Sequence, residues 1–247
     1  MSGNAFKDQN VKRIKYEDYL KLMPIISKIF LNIKPLGSSQ RFEGGYLWQT
    51  QGDIGDLDLA VEMEKQRMLS IVREHTIFKS SKVFGNTIST LVQLGNDCFH
   101  IDLMPSKNLE DESWIMTGGS PKIKGVMRNV LLCFLAMKKS EKETRENEKK
   151  KWTIAFPGGI GLSLDGEKVK ERVTSPSIIL STLEIDSSAW DIEATRTFEG
   201  LVEYVDWDMA LFEDFKSYSR SQWLYKKSPE VIDNALSFLE KQKINIL

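Results

Sequence analysis

Histidine and cysteine are scarce in this chain, with two of each among 247 residues. His75 and His100 are too few for a zinc site built from several imidazoles and thiolates. Cys98 and Cys133 lie far apart in apolar surroundings (DCFHID and VLLCFLA), the setting of buried free thiols rather than of a disulfide. No run of about 18 apolar residues is present, which excludes a spanning helix of the usual kind. The opening stretch MSGNAFKDQNVKRIKYEDY lacks the apolar region of a secretory signal, so the expected location is the cytoplasm, with no membrane partner. Charge of one sign is not in excess either. A formal net charge of -1 denies the chain the overall basic character of many nucleic-acid binders and leaves room only for a local basic groove. Any chemistry must therefore rest on carboxylates, hydroxyls and cations.

The periodicities are those of a small α+β domain followed by helices. Apolar residues at Tyr16, Leu20, Met23, Ile26 and Phe30 predict a helix, with a kink or break expected at Pro24. Pro35 to Asp53 is rich in Gly, Ser and Gln and reads as loop with at most a short helix. The stretch DLDLAVEM, Asp56 to Met63, alternates acid and leucine; a period of two puts both aspartates on one face of a strand and both leucines in the core. A helix is expected over Lys65 to His75. Strands follow around SKVFGN, TISTLVQLG and CFHIDLM, turned at Gly85-Asn86 and Gly95-Asn96. PKIKGVMRNVLLCFLAMKK predicts a helix with a broad apolar face. Its continuation, Lys138 to Lys151, holds seven basic and four acidic residues and reads as a solvated helix end or as a contact to a phosphate backbone. WTIAFPGGIGLSLDG suggests two short strands returning to the sheet, and SPSIILSTLEI a helix opened by Ser-Pro. Asp186 to Asp214 carries nine acidic residues against Arg196 alone, a face that would repel DNA. Two further helices, about Ala210 to Lys226 and Pro229 to Lys241, complete the chain. The organisation expected is an α+β domain over 1–185 and an acidic helical lobe over 186–247.

The chemistry-bearing residues are Asp56, Asp58 and Asp102. An aspartate inside an apolar strand is costly unless it is paired or metal-bound, and both DLDLAV and HIDLM place one there. Any one of them could end a strand or cap a turn. Three on neighbouring strands could instead bridge a pair of divalent cations, and Mg2+ takes oxygen ligands from a few carboxylates, phosphate and water.

GSSQRF, GDLDLAV and FHIDLMP together resemble the three marks of the polymerase-beta nucleotidyltransferase superfamily: a Gly-Ser turn, a paired acidic strand and a third acid on a neighbouring strand. The resemblance implies a mixed or antiparallel sheet forming a nucleotidyltransferase palm, with flanking helices. It implies two Mg2+ ions, or Mn2+ in their place, held by Asp56, Asp58 and Asp102. The activity implied is transfer of a nucleoside monophosphate from a nucleoside triphosphate to an acceptor hydroxyl. Gly37 with Ser38 or Ser39 matches the turn that grips the β and γ phosphates, and Arg41 stands where the family often has a cation for the leaving pyrophosphate, surface charge being its other reading. Seventeen residues separate Ser38 from Asp56, a longer spacer than is usual in the family. WIMTGGSPKIKGVMRNVLL resembles the segment of family-X DNA polymerases that packs under the incoming nucleotide; Thr117, Gly118 and Ser120 match its Thr-Gly-Ser, with Gly119 extra, and Arg128 its helical arginine. A glycine turn capping a helix is the alternative for that segment. The favoured acceptor is a nucleic-acid 3′ end, with a protein hydroxyl or a small molecule left open. The competing reading is a protein that keeps the fold without the chemistry and binds a partner.

Overall fold

A computed structural model describes residues 5–6, 9–43, 52–117, 119–120, 122–145, 148–156, 158–185 and 191–244. The chain is mixed α+β and divides into two compact units, Met1–Ser113 and Trp114–Leu247. The boundary expected near residue 185 falls inside the second of these.

In the first unit, α1 (Tyr16–Ile29) runs unbroken through Pro24. A proline there costs one backbone hydrogen bond, but Pro24 and Leu20 are both exposed, so water can serve the freed carbonyl. After β1 (Ile33–Pro35) come a short 3-10 turn, Ser38–Phe42, and β2 (Leu57–Val61). The helix α2 (Lys65–Glu74) leads to the meander β3 (Phe78–Phe84), β4 (Thr87–Leu94) and β5 (Asp97–Pro105). The five strands make one sheet in the order β1-β2-β5-β4-β3. Every neighbouring pair is antiparallel except β2 and β5, which run parallel with Leu57 opposite Ile101 and Asp58 opposite Asp102.

Strand alternation sorts this sheet into two faces. Leu57, Leu59 and Val61 of β2, Phe99, Ile101 and Leu103 of β5, and Ile88 and Val92 of β4 enter a core shared with Leu22 and Ile26 of α1 and Met68 and Val72 of α2. The residues between them, Asp58, His100, Asp102 and Ser89, share the opposite face. The sheet thus fixes the parity of every candidate ligand by burying its leucine and isoleucine neighbours.

The helix α3 (Leu109–Ile115) is not foreseen from the sequence, and the boundary between the units falls within it. Asn108 Oδ1 accepts from the Glu110 and Asp111 amides and starts it, and acids crowd its first turn, where the helix dipole favours them. In the second unit, α4 (Gly125–Glu143) is the central helix. Its Leu131, Leu132, Phe134 and Leu135 share a core with Ile179 and Leu180 of α5 (Pro176–Thr182), Phe198 and Leu201 of α6 (Phe198–Glu203), and Phe212 and Phe215 of α7 (Met209–Ser221). Leu224 of α8 (Trp223–Lys227) and Ile232 and Leu236 of α9 (Pro229–Ile244) complete it.

The strands β6 (Lys150–Ala155) and β7 (Gly159–Leu164) form a separate two-stranded ribbon and do not return to the five-stranded sheet. Their partner is α4. The Trp152 amide donates to Ser140 Oγ at 2.7 Å and the Trp152 indole to Glu143 at 2.9 Å, so polar contacts to a helix hold the ribbon where a sheet edge was expected. No helix among the described residues is long and apolar enough to cross a membrane.

Candidate metal centre and phosphate-binding turn

The Asp-x-Asp alternation and the β2–β5 register converge on one face of the first unit. Asp58 and Asp102 are direct Cα partners on adjacent parallel strands. Asp56 sits one residue before β2, and carrying the register back by two sets it beside His100. Asp56, His100 and Asp102 each present a ligand atom within 4.8 Å of the others, whereas Asp58, expected as the third carboxylate of this group, is not part of it and has its Oδ2 toward Gly37. Asp56 is partly open, with 23% of its side chain exposed, whereas Asp102 is enclosed at 1%.

Burial raises the Asp58 carboxyl well above the usual carboxylate range, and the neighbouring charges of Asp56 and Asp102 add to the effect. Asp56 is raised for the same reasons, burial first and Asp102 second, with His100 opposing. Carboxylates so placed are held together at a cost unless a cation joins them. Ser89, opposite Asp102 on β4, donates its hydroxyl to Asp102 Oδ1 at 2.6 Å and fixes that carboxylate's orientation.

His100 is the residue that sequence reasoning missed. Its side chain is 5% exposed. Nε2 lies 2.9 Å from Asp102 Oδ1 and Nδ1 lies 3.9 Å from Asp56 Oδ2. Phe6 meets the ring edge-on at 5.3 Å. The pair is close enough for an ion pair if the ring is protonated, yet Nε2 has no hydrogen-bond partner among the described residues. The signal was present in FHIDLM: a histidine two residues before an inward aspartate shares its face.

The Gly-Ser turn is coupled to this cluster. Gly37 has φ +52° and ψ -132°, a conformation that only glycine adopts without strain, and a Cβ there would stand 3.4 Å from Asp58 Oδ2. Ser39 is fully buried, and its Oγ accepts the Asp58 amide at 2.8 Å, so this serine ties the turn to β2. Ser38, which is only half-buried, is then the serine able to face a ligand. The Ser39 and Gln40 amides are used within the turn, while those of Gly37 and Ser38 have no backbone partner among the described residues. Gln40 anchors the far side through Ser113, donating to its carbonyl and its hydroxyl oxygen at 2.9 Å each. Arg41, in the last residues of the turn, has its guanidinium lowered by burial and by Arg13. Residues 44–51 of the spacer lie outside the described residues.

The candidates beyond residue 113 belong to the second unit, where Thr117, Ser120 and Arg128 have structural tasks. Thr117 is buried, with its hydroxyl 3.5 Å from the Gly119 amide; Gly118 lies outside the described residues. Ser120 Oγ accepts from the Lys122 and Ile123 amides and donates to Glu199, closing the turn ahead of α4. The extra Gly119 is required by packing, since at φ +87° a Cβ would fall 2.2 Å from the Gly125 nitrogen. Arg128 is wholly buried. Its guanidinium lies over the Trp114 ring at 3.9 Å and its Nε donates to the Thr195 carbonyl at 2.6 Å. Burial, with a smaller contribution from Arg196, pushes it down to about 9, still charged at neutral pH. Three lysines at the start of the basic stretch are engaged as well: Lys138 pairs with Asp214, and Lys139 and Lys142 with Glu184.

No protein-family model matches the chain, and no curated protein matches it. The functional reading therefore rests on the chain's own residues.

Proposed function

We propose that the first unit is the catalytic part of a divalent-metal-dependent nucleotidyltransferase, which moves a nucleoside monophosphate from a nucleoside triphosphate to an acceptor hydroxyl. The observation carrying this reading is the coupling of the glycine turn to the acid cluster. Gly37 backs onto the Asp58 carboxylate, Ser39 is bonded to the Asp58 amide, and Asp58 stands opposite Asp102. A turn that offers amides beside a set of carboxylates suits a ligand carrying both phosphate and divalent cations.

The donor set fits such ions. The carboxylates of Asp56, Asp58 and Asp102 are hard oxygen ligands, and their mutual repulsion and burial call for positive charge. Bound there, a divalent pair would neutralise the attacking and leaving oxygens of an in-line displacement. Asp102, oriented by Ser89, would bind the catalytic ion and help activate the acceptor hydroxyl. The amides of Gly37 and Ser38 would hold the outer phosphates, with Arg41 of the same turn supplying positive charge. The acceptor class is left to experiment. The residues once matched to a nucleic-acid-polymerase segment, Thr117, Ser120 and Arg128, are occupied in turn closure and core packing, and so give no special weight to a nucleic-acid 3′ end.

The test is transfer from α-32P-labelled triphosphates, with Mg2+ or Mn2+, to a panel of DNA, RNA, protein and small-molecule acceptors. Label should enter one acceptor class, and Asp102→Ala, folded by circular dichroism, should lose transfer by at least about a thousandfold, the scale on which removing a central catalytic group acts. Full activity in that variant, or no transfer together with no metal-dependent triphosphate binding, would end the proposal and favour a protein that keeps the fold only to bind a partner.

A further inference from the structure

We propose that His100 is a nitrogen ligand of the cation held by Asp56 and Asp102, and that it biases the site toward a first-row transition ion over Mg2+. The inference rests on the metal-site reading above and names a ligand that this reading does not require.

Three observations carry it. First, the imidazole is buried with one nitrogen toward each carboxylate, and Nε2 has no hydrogen-bond partner among the described residues. A buried ring nitrogen that approaches a carboxylate closely without hydrogen-bonding to it has a lone pair or a proton not satisfied there, and marks the place of something not yet counted. Second, the spacing suits shared coordination. Two ligand atoms at right angles on an octahedral ion about 2.1 Å away lie about 3.0 Å apart, and Nε2 lies 2.9 Å from Asp102 Oδ1. The contact is not a hydrogen bond, and its distance is that of two adjacent corners of one coordination shell. Third, the ring is pinned in place, edge-on against Phe6 on a strand whose register is set by buried neighbours on both sides.

Imidazole discriminates between cations. Mg2+ dehydrates reluctantly and favours oxygen, whereas imidazole suits the later first-row ions best, and Mn2+, the hardest of that row, takes it beside carboxylates more readily than Mg2+ does. A site of two carboxylates and one imidazole should therefore bind Mn2+ more tightly than the same site without the imidazole, and gain little for Mg2+.

Mn2+ is the probe, read by electron spin-echo modulation on the intact chain without triphosphate. The bound ion should show coupling to a directly ligated 14N, replaced by a 15N pattern when the protein is grown with [15N]histidine; this arm needs no substitution. His100→Gln should erase the nitrogen coupling and weaken Mn2+ about ten- to a hundredfold, the scale of ligand-shell changes, with Mg2+ affinity nearly unchanged. His75→Gln should retain both, since His75 is exposed after α2. Bound Mn2+ without nitrogen coupling, coupling that survives in folded His100→Gln, or equal losses for the two metals would each overturn the assignment. The two proposals fail separately. Nucleotidyl transfer with a nitrogen-free Mn2+ signal removes His100 from the ligand set and leaves the enzyme, while nitrogen-coupled Mn2+ without transfer leaves a metal site and removes the enzyme.

Discussion

At the scale of single residues, two buried ionisable side chains outside the acid cluster lend themselves to measurement. Glu112 on α3 has its Oε2 buried without a partner among the described residues, and burial pushes its carboxyl up to about 7, against a hydrogen bond from Ser106. Between about pH 4.5 and 7 the folded chain keeps a proton that the unfolded chain has released, so stability falls as pH rises through that window and levels off above it. Allowing for partial solvent screening, the loss should be about 1–2 kcal/mol. Denaturant melts of Glu112→Gln should lack this slope and match or exceed the wild type at pH 8; an unchanged slope would mean that another group titrates. Arg128 makes the opposite case, a cation sealed under Trp114 with Nη1 and Nη2 unpartnered among the described residues. Truncation to alanine should cost about 3 kcal/mol through the cavity, whereas methionine, which fills similar space without charge, should stay within about 1 kcal/mol of wild type. A folded Arg128→Met with a much raised KM for triphosphate would instead return this arginine to the nucleotide.

Among the elements, the turn Ser38–Phe42 and the strand pair β2–β5 matter most. Gly37→Ala forces a side chain into a glycine conformation and sets a methyl against the Asp58 carboxylate. The expected cost is about 1–3 kcal/mol by chemical denaturation, with a larger loss of transfer than Ser38→Ala causes; equal effects would uncouple the turn from the acids. Much of this element level was legible in the sequence. The alternation of Asp56-Leu57-Asp58-Leu59 gave the strand and its two faces, and the glycine turns gave the meander. Strand order was not legible, because parallel pairing of β2 with β5 joins segments separated by α2, β3 and β4 and leaves no local pattern. The ribbon β6–β7 shows the same limit: periodicity identifies strands, while the partner is chosen by Ser140 and Glu143 on a helix. The helix α3 escaped notice because LEDESWI is short and acidic, with its apolar anchors Trp114 and Ile115 crowded at one end. Three acids of the candidate centre were visible from their cost in an apolar strand. His100 was not, since a lone histidine in a strand carries no comparable penalty when neutral.

For the whole molecule, the two units have separate hydrophobic cores, and every proposed metal ligand lies in the first. Divalent cation at about a hundredfold excess over its Kd should add about 2.7 kcal/mol to the stability of the unit that binds it. Calorimetry should resolve this as an upward shift of the Met1–Ser113 transition, with that of Trp114–Leu247 unmoved; equal shifts in both would mean that they unfold together. The parallel pairing of β2 with β5 carries one more consequence, and it concerns time. Asp56 and Asp58 meet His100 and Asp102 only when this long-range pairing closes, after the local hairpins exist, so the repulsion among the acids arises at the end of assembly. A cation that needs all of these ligands has little to hold before then. In stopped-flow experiments it should leave the refolding rate nearly unchanged and slow unfolding in proportion to its binding, which makes the ion a latch on a finished sheet.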